Sequence, residues 1–318
     1  MNDIPRLIEM ARTVSRARAL SRKTENAYLN HIRRFQSFHG GRDLTLIGAG
    51  GVNDFLNHLK KNEKLAAATR NQALSALAFL YREVLGQENA VCLKDVRPAV
   101  PAGRTPVVFS PGEARAVLSR MRGENFLAAA LMYGSGLRLS EAVALRVGDL
   151  DFENREIVVR HARTGRRERT TLLPLALRPA LEKHLANVRY LFEDDLLLGH
   201  GGAPLPERVA RYAPAAGSEW RWQFAFPARS VTGDAPAYRH HLAESTVQKA
   251  VAEAVLKTGL KPAGCQSFRY GFAARLFEQN CDVRRIQSLL GHKNLKTTVF
   301  YMRLAAGEKS VIQSPLDV

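Results

Sequence analysis

Cysteine is scarce in this chain of 318 residues: Cys92, Cys265 and Cys281 are the only three, and no two of them form a C-x-x-C pair. An odd, scattered set supports neither a disulfide framework nor a zinc site, so no metal is expected and a reducing cytoplasm is the expected location. Long apolar runs are missing too. No stretch approaches the ~18 residues of a membrane span, and "MNDIPRLIEMARTVSRARAL" at the start has no uninterrupted apolar core of signal-peptide type. Acidic residues are the third shortage. Only 30 Asp and Glu face 47 Lys and Arg, a formal charge of +17 with a pI near 10.2. Such an excess points to a polyanionic partner, nucleic acid before membrane. The plainer alternative is a high-GC genome in which Arg is simply frequent.

Enough apolar material is present for packed cores: 46% of residues are hydrophobic and 24% charged. The length allows about two domains. The positive excess is +7 over residues 1–100 and +10 over 101–318, so it is not confined to a tail. Residues 1–98 read as a basic bundle of about four helices. In "TENAYLNHIRRFQSF" the residues Tyr28, Ile32, Phe35 and Phe38 recur at helical spacing. Asn53 and Thr69 are candidate caps for two later helices, and Gly86 a stop. The Pro-rich "VRPAVPAGRTPV" marks a linker, placed at 99–107. A second domain then spans 108–318, opening on a capping box, Ser110 with Glu113, and Pro111 at the first helical position.

That second domain reads as mainly helical with one β-hairpin, "EIVVRHARTGRRERTTLLP", whose tip falls near Thr164–Gly165. It carries Arg160, Arg163, Arg166, Arg167 and Arg169, a set that also suits an ordinary solvated hairpin. Residues 199–243 break the helical rhythm with Gly, Pro and aromatics, including Trp220 and Trp222, the protein's only tryptophans. Three other stretches set ionisable residues beside turns or helix ends. "YGSGLRLSEAVALR" puts Arg138 after a Gly-containing turn, with Ser140 as candidate cap. "CQSFRYGFAARLFEQN" is an amphipathic helix on which Gln266 and Arg269 project together. "LLGHKNLKTTVFYMR" has His292 after a helix-stop glycine, and Tyr301 nine positions on. Taken singly, each has an ordinary structural explanation.

Taken together and in this order, residues 107–303 resemble the catalytic domain of the tyrosine recombinase (phage integrase) family. Residues 1–96 are similar to that family's helical, SAM-like core-binding domain. The first family motif is met by "GLRLSE" with Arg138 and Glu141. The last, L-L-G-H-x4-T-T-x-x-Y, is met in full by Leu289, Leu290, Gly291, His292, Thr297, Thr298 and Tyr301. The resemblance implies a two-domain, C-shaped clamp, mainly α with a small β-sheet. It also implies attack of the Tyr301 hydroxyl on a DNA phosphodiester, giving a 3′-phosphotyrosine and a free 5′-hydroxyl. The bond energy stays in the covalent intermediate, so no cofactor is expected. Arg138 and Arg269 match the residues that hold the phosphate, His292 the residue that hydrogen-bonds it, and Glu141 would orient Arg138. Arg166, Arg167 and Lys293 are expected DNA contacts. The partners implied are a duplex recombination site, a tetrameric synapse of the protein on DNA, and no membrane. The location implied is the bacterial cytoplasm beside the nucleoid. The aromatic insertion looks like the integron integrase branch, which inserts and excises gene cassettes. There it would grip bases extruded from folded single-stranded cassette hairpins, through Trp220, Trp222, His240 and His241.

Two positions depart from the family pattern. Arg163 stands where a proton-donating lysine is expected, and with a pKa above ~12 arginine is a poor acid. The H-x-x-R-H box reads "QSFRY", so Gln266 replaces a histidine and cannot carry a proton. Acid–base assistance is worth about 10²–10⁴-fold, so weakened recombination is expected. A catalytically decayed DNA-binding protein on the same scaffold is the alternative. A topoisomerase-like relaxing enzyme would share the chemistry but would leave the aromatic insertion unexplained.

Overall fold

The structure is a computed structural model, and it describes residues 4–18, 20–87, 98–99, 106–161, 167–233 and 237–306. The chain divides into two compact units, Met1–Arg104 and Thr105–Val318. The tip of the predicted hairpin, most of the predicted linker, Arg163 and Arg166 lie outside the described residues.

The first unit holds α1 (Ile4–Ala17), α2 (Arg22–Phe38), α3 (Ala49–Lys61) and α4 (Ala67–Phe79). Its core is built from Leu29, Ile32 and Phe35 of α2, Val52, Phe55 and Leu59 of α3, and Leu77 of α4. The predicted stripe on α2 is thus buried at Ile32 and Phe35, whereas Tyr28 is half-buried and Phe38, at the end of the helix, is exposed. Helix α3 starts a turn earlier than a cap at Asn53 requires, because Val52 is itself fully buried and extends the stripe backward. Likewise α4 starts ahead of Thr69, with Ala66 as its cap residue. A π-helical turn, Leu80–Val84, follows α4 and lets the adjacent Leu80 and Tyr81 both be buried. The Tyr81 hydroxyl donates to the Leu44 carbonyl at 2.9 Å.

The second unit begins with α5 (Pro111–Leu118), which carries the predicted capping box, then α6 (Gly123–Ser135) and the short α7 (Leu139–Val143). An antiparallel sheet follows in the order β1 (Leu150–Asp151), β2 (Glu156–Arg160), β3 (Arg167–Leu172). After α8 (Arg178–Leu197), the insertion contributes α9 (Glu207–Tyr212) and a two-stranded pair, β4 (Pro227–Thr232) with β5 (Tyr238–His241). The domain closes with α10 (Glu244–Thr258), α11 (Gln266–Glu278), α12 (Val283–Leu290) and α13 (Leu295–Ala306). The core gathers Leu127, Leu131 and Met132 of α6, Ile157 and Val159 of β2, Val247 and Val251 of α10, and Phe268 of α11. Helix α11 packs between α6 and α13, which brings three distant stretches of sequence to one place. Among the described residues no helix is long and apolar enough to cross a membrane.

Candidate active site

Arg138 is the cap residue of α7, where Ser140 was the expected cap. Its backbone N–H donates to Glu141 Oε2 at 2.8 Å and its Nη1 to Glu141 Oε1 at 2.6 Å. One carboxylate thus ends the helix and aims the arginine, whose side chain stays 41% exposed. Arg269 enters from α11 and is fully buried. Its Nη1 donates to the Gly136 carbonyl and its Nη2 to the Leu290 carbonyl at 2.5 Å, while Nε has no protein partner. Burial, then the charge of Arg138, bring its pKa to about 10, which leaves it charged at neutral pH. A third arginine comes from β3. Arg169 forks onto Glu141 through Nη2 at 2.6 Å and Nη1 at 3.0 Å, and its Nε donates to the Leu289 carbonyl at 2.8 Å. Burial alone would raise the Glu141 pKa. The hydrogen bonds and charge of Arg169, then those of Arg138, hold it at about 2.

Gly291 ends α12 with φ +64°, and a Cβ there would sit 2.8 Å from Arg169 Cδ. Only glycine suits both the left-handed turn and the close approach of the arginine. The turn delivers His292, which is 8% exposed, and its Nδ1 lies 3.0 Å from Thr298 Oγ1. Burial, then the charges of Arg269, Arg138 and Arg169, lower the His292 pKa to about 4, so the imidazole is neutral at pH 7. Tyr301, on α13, is 7% exposed and its ring meets His292 edge-on at 4.7 Å. Gln266 Nε2 donates to the Tyr301 hydroxyl at 2.8 Å. The fold therefore gathers two guanidiniums, a neutral imidazole and a phenol, with a glutamine amide on the phenol oxygen. That set can hold a tetrahedral anion and present a hydroxyl to it.

Residues 113–308 match the profile of the Phage integrase family, and residues 7–90 that of the Phage integrase, N-terminal SAM-like domain. The chain belongs to the phage integrase (tyrosine recombinase) family. It is 36% identical over 301 residues to an integrase/recombinase of Escherichia coli, covering 93% of this chain and 89% of that one. It is 27% identical over 305 residues to the tyrosine recombinase XerD of Mycobacterium leprae, covering 89% and 87%. Its fold is that of a lambda integrase dimer bound to a COC′ core site (TM-score 0.66, 17% identity, 97% of this chain and 79% of that one). It is likewise that of the Tn1549 transposon integrase in complex with transposon right end DNA (TM-score 0.62, 18% identity, 93% and 94%). Membership implies site-specific recombination by DNA cleavage and rejoining.

The expected residues of this recombinase fall into three groups. Arg138, Glu141, Gln266, Arg269, His292 and Tyr301 come together. Arg167 and Lys293 are exposed, Arg167 lying 3.8 Å from Glu156. The residues of the insertion pack on their own domain. Trp220 lies 5.6 Å from Phe192 with Arg189 over its ring at 5.1 Å. The Trp222 ring meets the guanidiniums of Arg146 and Arg160, at 5.8 and 5.7 Å. His240 and His241 both meet Phe224, and His240 is exposed. Arg169 and Tyr270 were not singled out from the sequence. Arg169 had a usable signal, since it alternates with Thr171 on the inward face of β3.

Proposed function

We propose that this chain is an integron-type integrase that cleaves and rejoins DNA through Tyr301 to insert and excise gene cassettes. The observation that carries the chemistry is the convergence of Arg138, Arg269, His292 and Tyr301 from three separate stretches. In the reaction, Tyr301 Oη forms a bond to phosphorus as the bond from phosphorus to the 5′-oxygen breaks. The phenol gives up one proton and the 5′-oxygen gains one, so the step is proton-neutral overall. Arg138 and Arg269 meet the charge that grows on the non-bridging oxygens. His292 is neutral, and with Nδ1 accepting from the Thr298 hydroxyl its Nε2–H faces the phosphate as a donor. Neither a metal nor a nucleotide is required, because the phosphotyrosine keeps the energy of the broken bond.

Strand exchange proceeds in a tetramer on two paired sites; Val311 and Ile312, the expected contacts to a neighbouring subunit, lie outside the described residues. The insertion, with Trp220, His240 and His241, binds unpaired bases of folded single-stranded cassette hairpins. Its density in aromatics supports this, stacking of one base being worth roughly 1–3 kcal/mol. Trp222, in contact with Arg146 and Arg160, anchors that surface. Arg163 keeps positive charge at the leaving oxygen but gives up no proton, so cleavage is slow.

The test is to mix the purified full chain with a folded cassette-site hairpin and look for a phosphotyrosine adduct on a denaturing gel. The wild type should form it slowly, Tyr301→Phe not at all, and Arg163→Lys roughly 10–100-fold faster, within the range of general acid catalysis. Tight DNA binding with no adduct from any variant would favour the decayed DNA-binding protein, which Gln266 and Arg163 keep open. A brisk wild-type rate unaffected by Arg163→Lys would sink the weakened activity alone.

A further inference from the structure

Two rings hold the phenol ring of Tyr301. Tyr270 meets it with centroids 4.5 Å apart and planes at 81°, and His292 at 4.7 Å and 81°. Both contacts are edge-to-face, the geometry in which the positive rim of one ring lies on the π cloud of the other. The remaining restraint is polar, since Gln266 donates to the Tyr301 hydroxyl. Tyr270 lies one turn beyond Gln266 on α11 and engages that same side chain. It also follows Arg269 directly, so the backbone that fixes the buried arginine fixes this ring. Tyr270 is half-buried and packs against the apolar cluster that contains Phe272, Ile286, Leu290 and Tyr301. An aliphatic residue would fill that space, but it could not place an aromatic edge on Tyr301 and a hydroxyl by Gln266.

We infer that Tyr270 is a positioning residue for the nucleophile, holding Tyr301 in line through its ring and through Gln266. The inference rests on the reading of Tyr301 as the nucleophile. It assigns a job to a residue that stands where the family pattern H-x-x-R-H has its last histidine. It also explains how the hydroxyl keeps its orientation although position 266 carries no imidazole. The glutamine is fixed by what it donates to and by what leans on it.

Single-turnover cleavage of a suicide substrate, measured beside DNA affinity, tests this. Tyr270→Leu should lower the cleavage rate about 10-fold, the upper range for one aromatic pair, with DNA affinity unchanged. Tyr270→Phe keeps the edge and loses only the hydroxyl, so it should restore most of the rate, ending about 2–5-fold below wild type, as for one modest hydrogen bond. Gln266→Leu should cost roughly 10–100-fold, and adding Tyr270→Phe to it should cost nothing more, because the hydroxyl acts through Gln266. Wild-type cleavage by Tyr270→Leu would overturn the inference alone, as would a matching fall in DNA affinity. Faster cleavage by Tyr270→Leu would also overturn it, showing a restraining contact instead. Absence of any adduct from the wild type overturns the nucleophile reading and this inference together.

Discussion

The catalytic domain contains two clusters of arginines around a buried carboxylate, and they differ in what they leave open. At the first, Glu141 collects Arg138, Arg169 and, at 3.9 Å, Arg269. At the second, Asp149 accepts from Arg160 Nε at 2.5 Å and from the Arg146 backbone N–H at 3.0 Å. Arg146 donates to the carbonyls of Trp222 and Pro204 and stacks on Phe224 at 4.3 Å. Both Nη groups of that guanidinium thus donate to carbonyls of its own protein. The first cluster keeps Arg138 substantially exposed and leaves Nε of the buried Arg269 without a protein partner. The carboxylates record the same contrast. Glu141 is driven down to about 2, whereas burial raises Asp149 above the ordinary aspartate value. The first cluster leaves positive charge available, as the proposed phosphate site requires, and the second uses its charge to fasten residues 204–224 to the sheet.

The widest separation should come from removing the central arginine of each. Arg269→Ala leaves the Gly136 and Leu290 carbonyls without their donor and strips half of the proposed phosphate clamp. It should cost about 3–5 kcal/mol of stability and at least about 10²–10³-fold in adduct formation. Arg146→Ala should cost comparable stability and leave adduct formation unchanged at a temperature where the protein stays folded. Chemical denaturation paired with the suicide-substrate assay reads both. Equal losses of activity would erase the distinction between the clusters.

Next in size is the response to acid. Glu141 titrates at about 2 in the fold against an ordinary 4.5, so its contribution is complete above about pH 4.5 and is lost as pH falls toward 2. Converted at 1.36 kcal/mol per unit, Glu141→Gln should cost at most about 3 kcal/mol at pH 7. Asp149 has the opposite sign. Its raised pKa means that the folded chain takes up a proton before the unfolded one, so Asp149→Asn should cost less at pH 7. His292 adds a window of its own. Folded it titrates at about 4 and free at 6.5, so the unfolded chain protonates first and stability falls as pH drops from 6.5 to 4. His292→Gln should flatten denaturation midpoints across that interval, and an unaltered slope would show that the imidazole is not held neutral.

The contrast between the clusters also marks what the sequence could disclose. Arg138, His292 and Tyr301 were legible because each sits in a short motif whose spacing is fixed by a helix end: the cap of α7, the glycine stop of α12, and the start of α13. Arg269 was legible through its i,i+3 relation to Gln266 on one helix face. Arg169 was one arginine among five in its hairpin. Its place on Glu141 depends on the pairing of Val159 with Arg169 and on β3 packing against α12. Tyr270 read only as a mismatch to a pattern, since its meaning depends on where α13 lands. The first-domain stripes predicted the helices and their buried faces, but not their starting residues, which packing moved to Ala49 and Ala67. The tryptophans were conspicuous by composition, yet nothing local distinguishes a ring offered to a base from one held by two arginines of its own domain.

That last ambiguity supports the smallest expected effect, and the most discriminating one within the insertion. Trp222 Nε1 is buried without a hydrogen-bond partner, and its ring meets both Arg146 and Arg160. Leucine would keep apolar bulk there, lose two cation–π contacts of about 0.5–1 kcal/mol each, and relieve an unsatisfied N–H. Trp222→Leu should therefore lower stability by about 1 kcal/mol or less and leave affinity for a folded single-stranded hairpin unchanged. The Trp220 ring meets Phe192 and the half-exposed Arg189. Trp220→Ala should weaken hairpin binding by roughly 5–100-fold, the worth of one stacked base, while binding to a perfect duplex holds. Fluorescence anisotropy with matched hairpin and duplex separates the two outcomes. If Trp222→Leu is the variant that loses the hairpin, the second cluster is part of the DNA-binding surface and its arginines have a ligand after all.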